Sequence, residues 1–450
     1  MAVRRKPERK NSGNIWGFSL SAEWKTAEAS KSSGAATVPG ASLSPWAPFR
    51  EPLFRSLWIA AVISYVGTWM QNMGSGWLMT SLTMSPLMVG LVQAASSLPV
   101  FLVALPAGAL ADLVDRRRLL IITQSFMVVA AAALGVITIL NLVTPWLLLL
   151  FTFLLGLGAV MNDPAWQAIT PEVVSYEQHA SAVALNSAGF NIARAVGPAL
   201  GGAVIAAAGS GVAFLINAAS FFGVIFFLMR WKRRVVNGKD GGHLLAATRQ
   251  GIDYVRQSRA VKAVLVRTLA FSLSASALLA LLPVIARPYG SVGYGLLLGC
   301  FGLGALAGAA VLPRLRQVSS MDGVVAAATI VYAATTLAAG RIGAFLLLCA
   351  VLFAAGVAWI AILACLNVTA QTTSPSWVLA RSLSMYVLVL QGGMAAGSAL
   401  FGALAERVGI PDALMFASVG LILGLVSMKW YRLRGHANLI YFADAGLTQG

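Results

Sequence analysis

Two charged residues stand inside otherwise apolar stretches of the sequence. Arg194 lies in NIARAVGPALGG, and Asp163 lies in MNDPAWQ. An ionised side chain in an apolar environment is costly unless it finds a partner or water. Arg194 could therefore contact a substrate or form a structural ion pair, with Asp163 as its natural partner, although Asp163 is expected nearer the end of its helix. A buried carboxylate can also exchange protons, so Asp163 is a proton-coupling candidate; alternatively, an Asp before Pro164 terminates a helix.

A polar stripe precedes these residues in the chain. Ser64, Thr68, Gln71 and Ser75 are spaced by four, three and four positions, which places them on one face of a helix. Such a stripe either lines the central cavity of the molecule or packs against neighbouring helices through hydrogen bonds. Further cavity candidates are Asn191, which lies three positions before Arg194, and Tyr386 and Gln391.

The sequence offers little for catalysis. It contains three histidines and three cysteines, and Cys300, Cys349 and Cys365 all lie in apolar runs, where thiols behave as small hydrophobes. No combination of His, Cys and acidic residues has metal-ligand spacing, and no GxxxxGK[ST] loop is present. We therefore expect no enzyme activity, no metal and no cofactor; an ion gradient, with protons favoured, would drive any transport.

Helices that cross a bilayer must position these residues. The composition is 58% hydrophobic and 10% charged, whereas soluble domains carry roughly 25% charged residues. Apolar runs recur that match the roughly 20 helical residues needed to span a membrane. They predict an all-α membrane protein with twelve transmembrane helices. The predicted spans are 57–81, 87–111, 119–140, 145–167, 181–208, 212–230, 264–286, 291–312, 322–340, 343–367, 380–404 and 410–429.

A polar, basic stretch separates the first six spans from the last six. Its latter part carries Leu244, Ala247, Ile252 and Val255 near one helical face, which predicts an amphipathic helix on the membrane surface. The predicted organisation is a cytoplasmic, disordered segment 1–52, a six-helix bundle 53–230, a cytoplasmic linker 231–262, a second six-helix bundle 263–430 and a cytoplasmic tail 431–450.

The net charge of +17 is distributed asymmetrically. If both termini are inside, 28 of the 32 Lys and Arg residues fall on the inner side, and only Arg287, Arg341 and Arg407 fall on the outer side. Lys and Arg are enriched in cytoplasmic loops. The charge therefore predicts orientation in a bacterial-type inner membrane. It does not indicate nucleic-acid binding, since no basic and aromatic surface module accompanies it. The expected partners are the lipid bilayer and a small-molecule substrate, and the expected state is a monomer.

A weak internal repeat relates the two sets of spans at an offset of 200 positions. GPALGGA from Gly197 returns as GSALFGA from Gly397, and Asn191 corresponds to Gln391. The AGA of residues 107–109 recurs at 307–309. Parallel repeats of six helices build transporters with a site near the bilayer midplane. The repeat therefore favours such an architecture.

The segment GALADLVDRRR follows the second span and resembles the loop between helices 2 and 3 of the major facilitator superfamily. The resemblance implies that Gly108 permits close packing, and that Asp112 and the following basic residues latch the cytoplasmic ends of the two halves. Asp115 stands where the common pattern has Gly, which puts the turn geometry in question. A simple positive-inside loop is the alternative. The signature residues are Gly108, Asp112, Asp115, Arg116, Arg117 and Arg118.

The fifth predicted span carries NIARAVGPALGG, which resembles the GPxxGG element of exporters in this superfamily. Ordinary glycine-rich packing of membrane helices is the alternative explanation. Together with FRSLWIAAVISYVGTWMQNMGSGWLMTSLTMSPLMVGLV and QGGMAAGSALFGALAE, it resembles the branch of the enterobactin exporter, macrolide efflux proteins and transmembrane secretion effectors, over roughly 46–430. The packing residues of the element are Gly197, Pro198, Gly201 and Gly202.

The leading functional hypothesis is a secondary exporter, coupled to protons, for an amphipathic small molecule such as a drug, macrolide or siderophore. In this hypothesis two bundles rock around a midplane cavity. An importer with the same fold is one alternative. A membrane sensor or scaffold that does not transport is another. Flux and substrate-dependent stability would distinguish them.

Overall fold

The computed structural model describes residues 44–231, 258–375 and 378–433, without the side chains of residues 105, 108–113 and 318. Within these ranges twelve helices are long and apolar enough to cross a membrane, as predicted. They are α1 Pro52–Leu82, α2 Pro86–Leu113, α3 Arg116–Ile139, α4 Pro145–Val173, α5 His179–Ala208, α6 Ser210–Arg230, α7 Arg259–Ile285, α8 Gly290–Val318, α9 Met321–Ala339, α10 Phe345–Thr373, α11 Leu379–Val408 and α12 Ile410–Leu425. The predicted amphipathic linker helix, most of the amino-terminal segment and most of the tail lie outside the described residues.

Side-chain caps fix where several helices begin. Asp115 accepts a hydrogen bond from the backbone N–H of Arg118 at 2.8 Å, and Ser320 accepts one from Gly323 at 3.1 Å. Such caps satisfy donors that the first helical turn leaves free. The backbone of Asp115 has φ −57, so the turn there does not require the glycine of the common pattern.

Helix α4 does not end at Asp163. It continues through Pro164 and Pro171 and ends at Val173, beyond the predicted boundary at 167. A proline within a helix removes one backbone hydrogen bond but is tolerated in membrane helices because neighbouring groups satisfy the freed carbonyl. The helix-terminator explanation of Asp163 is therefore wrong.

The helix contacts of the first six helices recur in the last six. Helix α1 packs on α5 and α6, α2 on α4, and α3 on α4 and α6. Correspondingly, α7 packs on α11 and α12, α8 on α10, and α9 on α10 and α12. We call α1–α6 the N-terminal half and α7–α12 the C-terminal half. The halves meet mainly where α2 packs against α11 and α5 against α8.

The repeat keeps its predicted offset in α5 and α11. These helices end at Ala208 and Val408, 200 positions apart. The residues that follow, Gly209 and Gly409, both have a left-handed backbone with φ 84 and 86. A residue with a side chain would be strained there, so glycine ends both helices in the same way.

The offset differs in α2 and α8. Gly90 of α2 packs against Gly402 of α11, and Gly295 of α8 packs against Gly202 of α5. Gly202 and Gly402 are 200 positions apart, whereas Gly90 and Gly295 are 205 apart. The prediction that the two AGA segments correspond is therefore wrong. Their agreement at 200 positions is a chance match of small residues.

The GPALGG element lets helices approach closely. A Cβ atom on Gly201 would lie 3.0 Å from the Cα of Met70 in α1, and one on Gly202 would lie 2.5 Å from the carbonyl oxygen of Ser291 in α8. Gly197 likewise lies against α1. Close backbone approach through glycine is a common mode of membrane helix association. This element therefore holds α5 between α1 and the C-terminal half.

Candidate functional site

The halves are joined at one end of the molecule. We call the end with the α1–α2, α7–α8 and α11–α12 connections the distal end. There Arg287, in the α7–α8 connection, donates hydrogen bonds to the carbonyl oxygens of Thr83 at 2.8 Å and Thr80 at 3.3 Å. The hydroxyl of Ser85 donates to Glu406 at 2.7 Å. These contacts and the glycine packing close the distal end around the space between the halves.

A first cavity, here called the bundle cavity, lies mainly within the N-terminal half, with Gln391 of α11 as its one lining residue from the C-terminal half, and has a volume of about 360 Å³. Asp163 of α4 is exposed to it, and Tyr65, Asn162 and Gln124 line it as well. Gln124 donates to the side-chain oxygen of Asn162 at 3.1 Å. The amide oxygen of Gln124 is buried without a partner among the described residues. The cavity thus gathers polar groups around one carboxylate.

The predicted stripe of α1 faces the bundle cavity. Ser64, Thr68, Gln71 and Ser75 all line it. Gln71 also accepts a hydrogen bond from the side chain of Asn217 in α6. The stripe therefore lines a cavity, but this is not the central cavity between the halves that was predicted. Gln71 in addition ties α1 to α6.

A second cavity, the interface cavity, lies between the halves and has a volume of about 470 Å³. Arg194 and Pro198 of α5 line it from one half, and Phe301 of α8 and Trp359 of α10 line it from the other. The guanidinium carbon of Arg194 is 5.7 Å from the ring centroid of Trp69 and 5.6 Å from that of Phe301. Arg194 therefore contacts aromatic rings of both halves.

Asp163 and Arg194 line different cavities. Among the described residues no ion pair joins them, and no carboxylate lies within 4.0 Å of the Arg194 guanidinium. The two cavities share a wall that includes Trp69, Asn72 and Gln391. The expectation that Asp163 is the direct partner of Arg194 is therefore not met in this structure.

The remaining cavity candidates separate into two groups. Gln391 lines both cavities. Tyr386 is only 3% exposed, and its hydroxyl donates to the carbonyl oxygen of Leu363 inside the C-terminal half. Asn191 donates to the carbonyl oxygen of Ser187 in its own helix at 2.8 Å. Neither Tyr386 nor Asn191 is among the lining residues of the two cavities.

The signature residues lie in the last turns of α2, in the connection after it and in the first turn of α3, at the end opposite the distal end. Arg116 pairs with Glu172 of α4 at 3.0 Å. Arg117 donates to the carbonyl oxygens of Leu228 at 2.6 Å and Met229 at 2.7 Å, at the end of α6. These bonds lie within the N-terminal half. Gly108 and Asp112 belong to the positions whose side chains are not described, and Arg118 is exposed, so the proposed latch between halves stays a prediction.

Some of the site was not identified from the sequence. Gln93, Ser96 and Ser97 of α2 line the interface cavity. Their spacing of three and four positions is the same signal that identified the α1 stripe, so it could have been recognised. The aromatic residues Trp69 and Phe301 gave no such signal, because an aromatic side chain in an apolar run fits a lipid-facing or a packed position equally well.

A buried ion pair was also missed. Arg267 of α7 is 5% exposed and pairs with Asp322 at the start of α9. The carboxylate of Asp322 also accepts hydrogen bonds from the backbone N–H of Leu433, at 3.1 Å and 3.2 Å. From the sequence, Arg267 is one of the 28 basic residues assigned to the inner side, with no partner predicted. The pair joins α7, α9 and the segment after α12.

Twelve membrane helices in two repeated halves, with cavities inside and between them, define a membrane transporter of the major facilitator fold. The family model described as "Transmembrane secretion effector" matches residues 43–441. The chain belongs to this family of major facilitator transporters, and the resemblance inferred from its motifs is confirmed.

Named relatives include transporters of different compounds. The staphyloferrin A transporter of Staphylococcus aureus is 24% identical over 266 residues, which cover 58% of this chain and 67% of that protein. The multidrug efflux pump Tap of Mycolicibacterium fortuitum is 28% identical over 408 residues, covering 86% and 97% respectively. Macrolide efflux protein A of Streptococcus pyogenes is 22% identical over 147 residues, covering 33% and 36%.

Solved structures share the fold at low sequence identity. A bacterial homologue of the human lysosomal transporter Spinster, in an inward-facing and occupied conformation, has a TM-score of 0.69 at 12% identity, covering 86% of this chain and 98% of that chain. The nucleoside transporter NupG has a TM-score of 0.67 at 12% identity, covering 85% and 100%. These likenesses concern the fold alone.

Proposed function

We propose that this transporter is a proton-coupled exporter of an amphipathic small molecule, working by alternating access in a bacterial cytoplasmic membrane. The observation that carries the proposal is the interface cavity, which both halves line and which the distal contacts close at one end. A rocking motion that broke these contacts would open the cavity at the distal end.

The direction of transport is inferred from the charge distribution. With 28 of the 32 basic residues on the side of the termini, the positive-inside rule puts the termini in the cytoplasm and the distal end outside. The cavity would then receive substrate from the cytoplasm in this conformation. The relatives named as efflux proteins support export over import.

Asp163 is the proposed proton carrier. It is the one acid among the residues that line the two cavities, and polar side chains of α1, α3 and α4 surround it. Binding of a proton would remove its charge, and the bundle cavity adjoins the substrate cavity through shared residues. Substrate and proton could thereby influence each other without direct contact.

Everted membrane vesicles test this proposal against its alternatives. A panel of ethidium, N-dansyl-phenylalanine and N-dansyl-phenylalanine methyl ester covers cationic, anionic and neutral amphiphiles. An exporter concentrates at least one of them inside everted vesicles when the gradient is imposed, and a protonophore abolishes the accumulation. An importer with the same fold would accumulate them in right-side-out vesicles instead. A sensor or scaffold would bind a compound, with a rise in melting temperature, but move none.

A further inference from the structure

The guanidinium of Arg194 has aromatic neighbours but no anion. Trp69 and Phe301 lie against it at 5.7 Å and 5.6 Å between guanidinium carbon and ring centroid. Rings stabilise the faces of a guanidinium, yet they accept none of its five in-plane N–H groups. Among the described residues no carboxylate pairs with Arg194, and no carbonyl or side-chain oxygen accepts a hydrogen bond from it. Its donors are available to the cavity.

The cavity around Arg194 is otherwise apolar or neutral. Leu279, Leu298, Leu363, Leu390 and Met394 form much of its wall. The polar side chains there are uncharged amides and hydroxyls, and the acid Asp163 lines the neighbouring cavity instead. A single cation in a cavity whose other lining residues are uncharged selects for negative charge and repels positive charge.

We propose that the interface cavity takes anionic amphiphiles, with a carboxylate or similar oxyanion held by Arg194 and an aromatic or aliphatic body against the apolar wall. The volume of about 470 Å³ suits a drug-sized molecule. The planar fork of Arg194 matches a carboxylate in bidentate geometry, and the rings of Trp69 and Phe301 hold the fork in place. This assignment deepens the proposed function and rests on the interface cavity being the substrate site.

The test compares N-dansyl-phenylalanine with its methyl ester on the purified full-length protein in detergent. Trp69 and Trp359 line the cavity, so energy transfer from tryptophan to dansyl reports binding. The other ten of the 12 tryptophans can contribute to this signal, so the Arg194 variants assign the binding to the cavity. The ester lacks the charge but is more apolar, and unspecific partitioning therefore favours the ester. The assignment predicts that the acid binds about tenfold more tightly or better. Equal binding, tighter binding of the ester, or no saturable binding of the acid would contradict it.

Variants locate the charge preference. Arg194→Gln should weaken binding of the acid by about tenfold or more and change binding of the ester by less than about twofold. Arg194→Lys should keep part of the preference for the acid over the ester. Arg230→Gln is the matched control. Arg230 also lies over a ring, Phe226 at 4.2 Å, but at the end of α6 and away from both cavities. A preference that survived in Arg194→Gln would overturn the assignment, and the comparison in the unaltered protein stands even if that variant does not fold.

Flux separates this assignment from the proposed function. If the acid shows no preferential binding while gradient-driven export of ethidium persists, the substrate class is wrong and the exporter stands. If the acid binds through Arg194 but the vesicles move no member of the panel in either direction, transport is wrong and the binding site stands.

Discussion

Arg287 donates a hydrogen bond to the carbonyl oxygen of Thr83 at 2.8 Å and thereby joins the first connection of the C-terminal half to the end of α1. A cation is favoured at a helix C-terminus, where carbonyls lack helical partners. Because this contact crosses between the halves, we expect Arg287→Gln to favour opening at the distal end. A hydrogen bond to a charged group contributes about 1.5–3 kcal/mol, so the closed population should fall about tenfold or more relative to the open one.

Cysteine labelling measures that opening. Val89 is 1% exposed and lines the interface cavity, so Val89→Cys in a cysteine-free background should react slowly with an impermeant maleimide applied to intact cells. Adding Arg287→Gln should accelerate the reaction. Arg341→Gln is the control, because the hydrogen bonds that Arg341 makes to described residues stay within the C-terminal half, to the carbonyl oxygen of Leu337 at 3.5 Å and to Met415. Equal rates in all three proteins would remove Arg287 from the distal closure.

The glycine packing between α5 and α8 predicts a contrast between two alanine substitutions. Gly202→Ala would place a Cβ 2.5 Å from the carbonyl oxygen of Ser291, so the helices must separate, at a cost of about 1–3 kcal/mol. Gly223→Ala would meet only the Cβ of Ala60 at 3.7 Å, and alanine is the better helix former. We expect a lower melting temperature and reduced transport for the first only. Similar behaviour of both variants would refute the packing argument.

The ion pair of Arg267 and Asp322 predicts a structural role. Asp322→Asn leaves a guanidinium that is 5% exposed without its carboxylate, and removing one partner of a buried pair costs about 3–5 kcal/mol. Yield and melting temperature should fall, whereas transport per folded molecule should remain near that of the unaltered protein. Glu172→Gln removes a more exposed pair with Arg116, so it should cost only about 0.2–1 kcal/mol. A thermally unaltered Asp322→Asn protein that fails to transport would assign the pair to the transport cycle instead.

Topology has its own test. The charge distribution predicts that the linker around Lys239 is cytoplasmic and that Pro411, at the start of α12, faces the outside. In a cysteine-free background, Pro411→Cys should react with an impermeant reagent in intact cells, and Lys239→Cys should react only after lysis. Labelling of both positions in intact cells would contradict the orientation on which export is inferred.

Much of the fold could be predicted because its signals are local. The length of the apolar runs determined the number of helices, and the spacing of Ser64, Thr68 and Gln71 predicted one polar face of α1. The prediction of a contact between side chains on different helices was not met. Complementary charge suggested that Asp163 and Arg194 are partners, but charge carries no information on helix tilt or on which cavity a side chain enters.

The offset between the repeated helices and the burial of charged side chains also could not be predicted in full from the sequence. The repeat in α5 and α11 was found because GPALGGA is long enough to align. A three-residue match of Ala and Gly in α2 and α8 could not reveal that the offset there is 205 positions, as between Gly90 and Gly295, and not 200. Arg267 resembled the basic flank of the linker. Only the position of Asp322, far along the chain, distinguishes a buried partner from a surface charge.

Gradient-driven accumulation in everted vesicles tests the central claim most directly. With an acid interior, the unaltered protein should concentrate its substrate from the panel, and Asp163→Asn should abolish accumulation while still exchanging labelled for unlabelled substrate down a gradient. Glu177→Gln, an exposed acid in the short helix before α5, should behave as the unaltered protein. Accumulation by Asp163→Asn at the unaltered level would contradict proton coupling through Asp163. Absence of gradient-dependent movement of every panel member by the unaltered protein would contradict proton-coupled export itself.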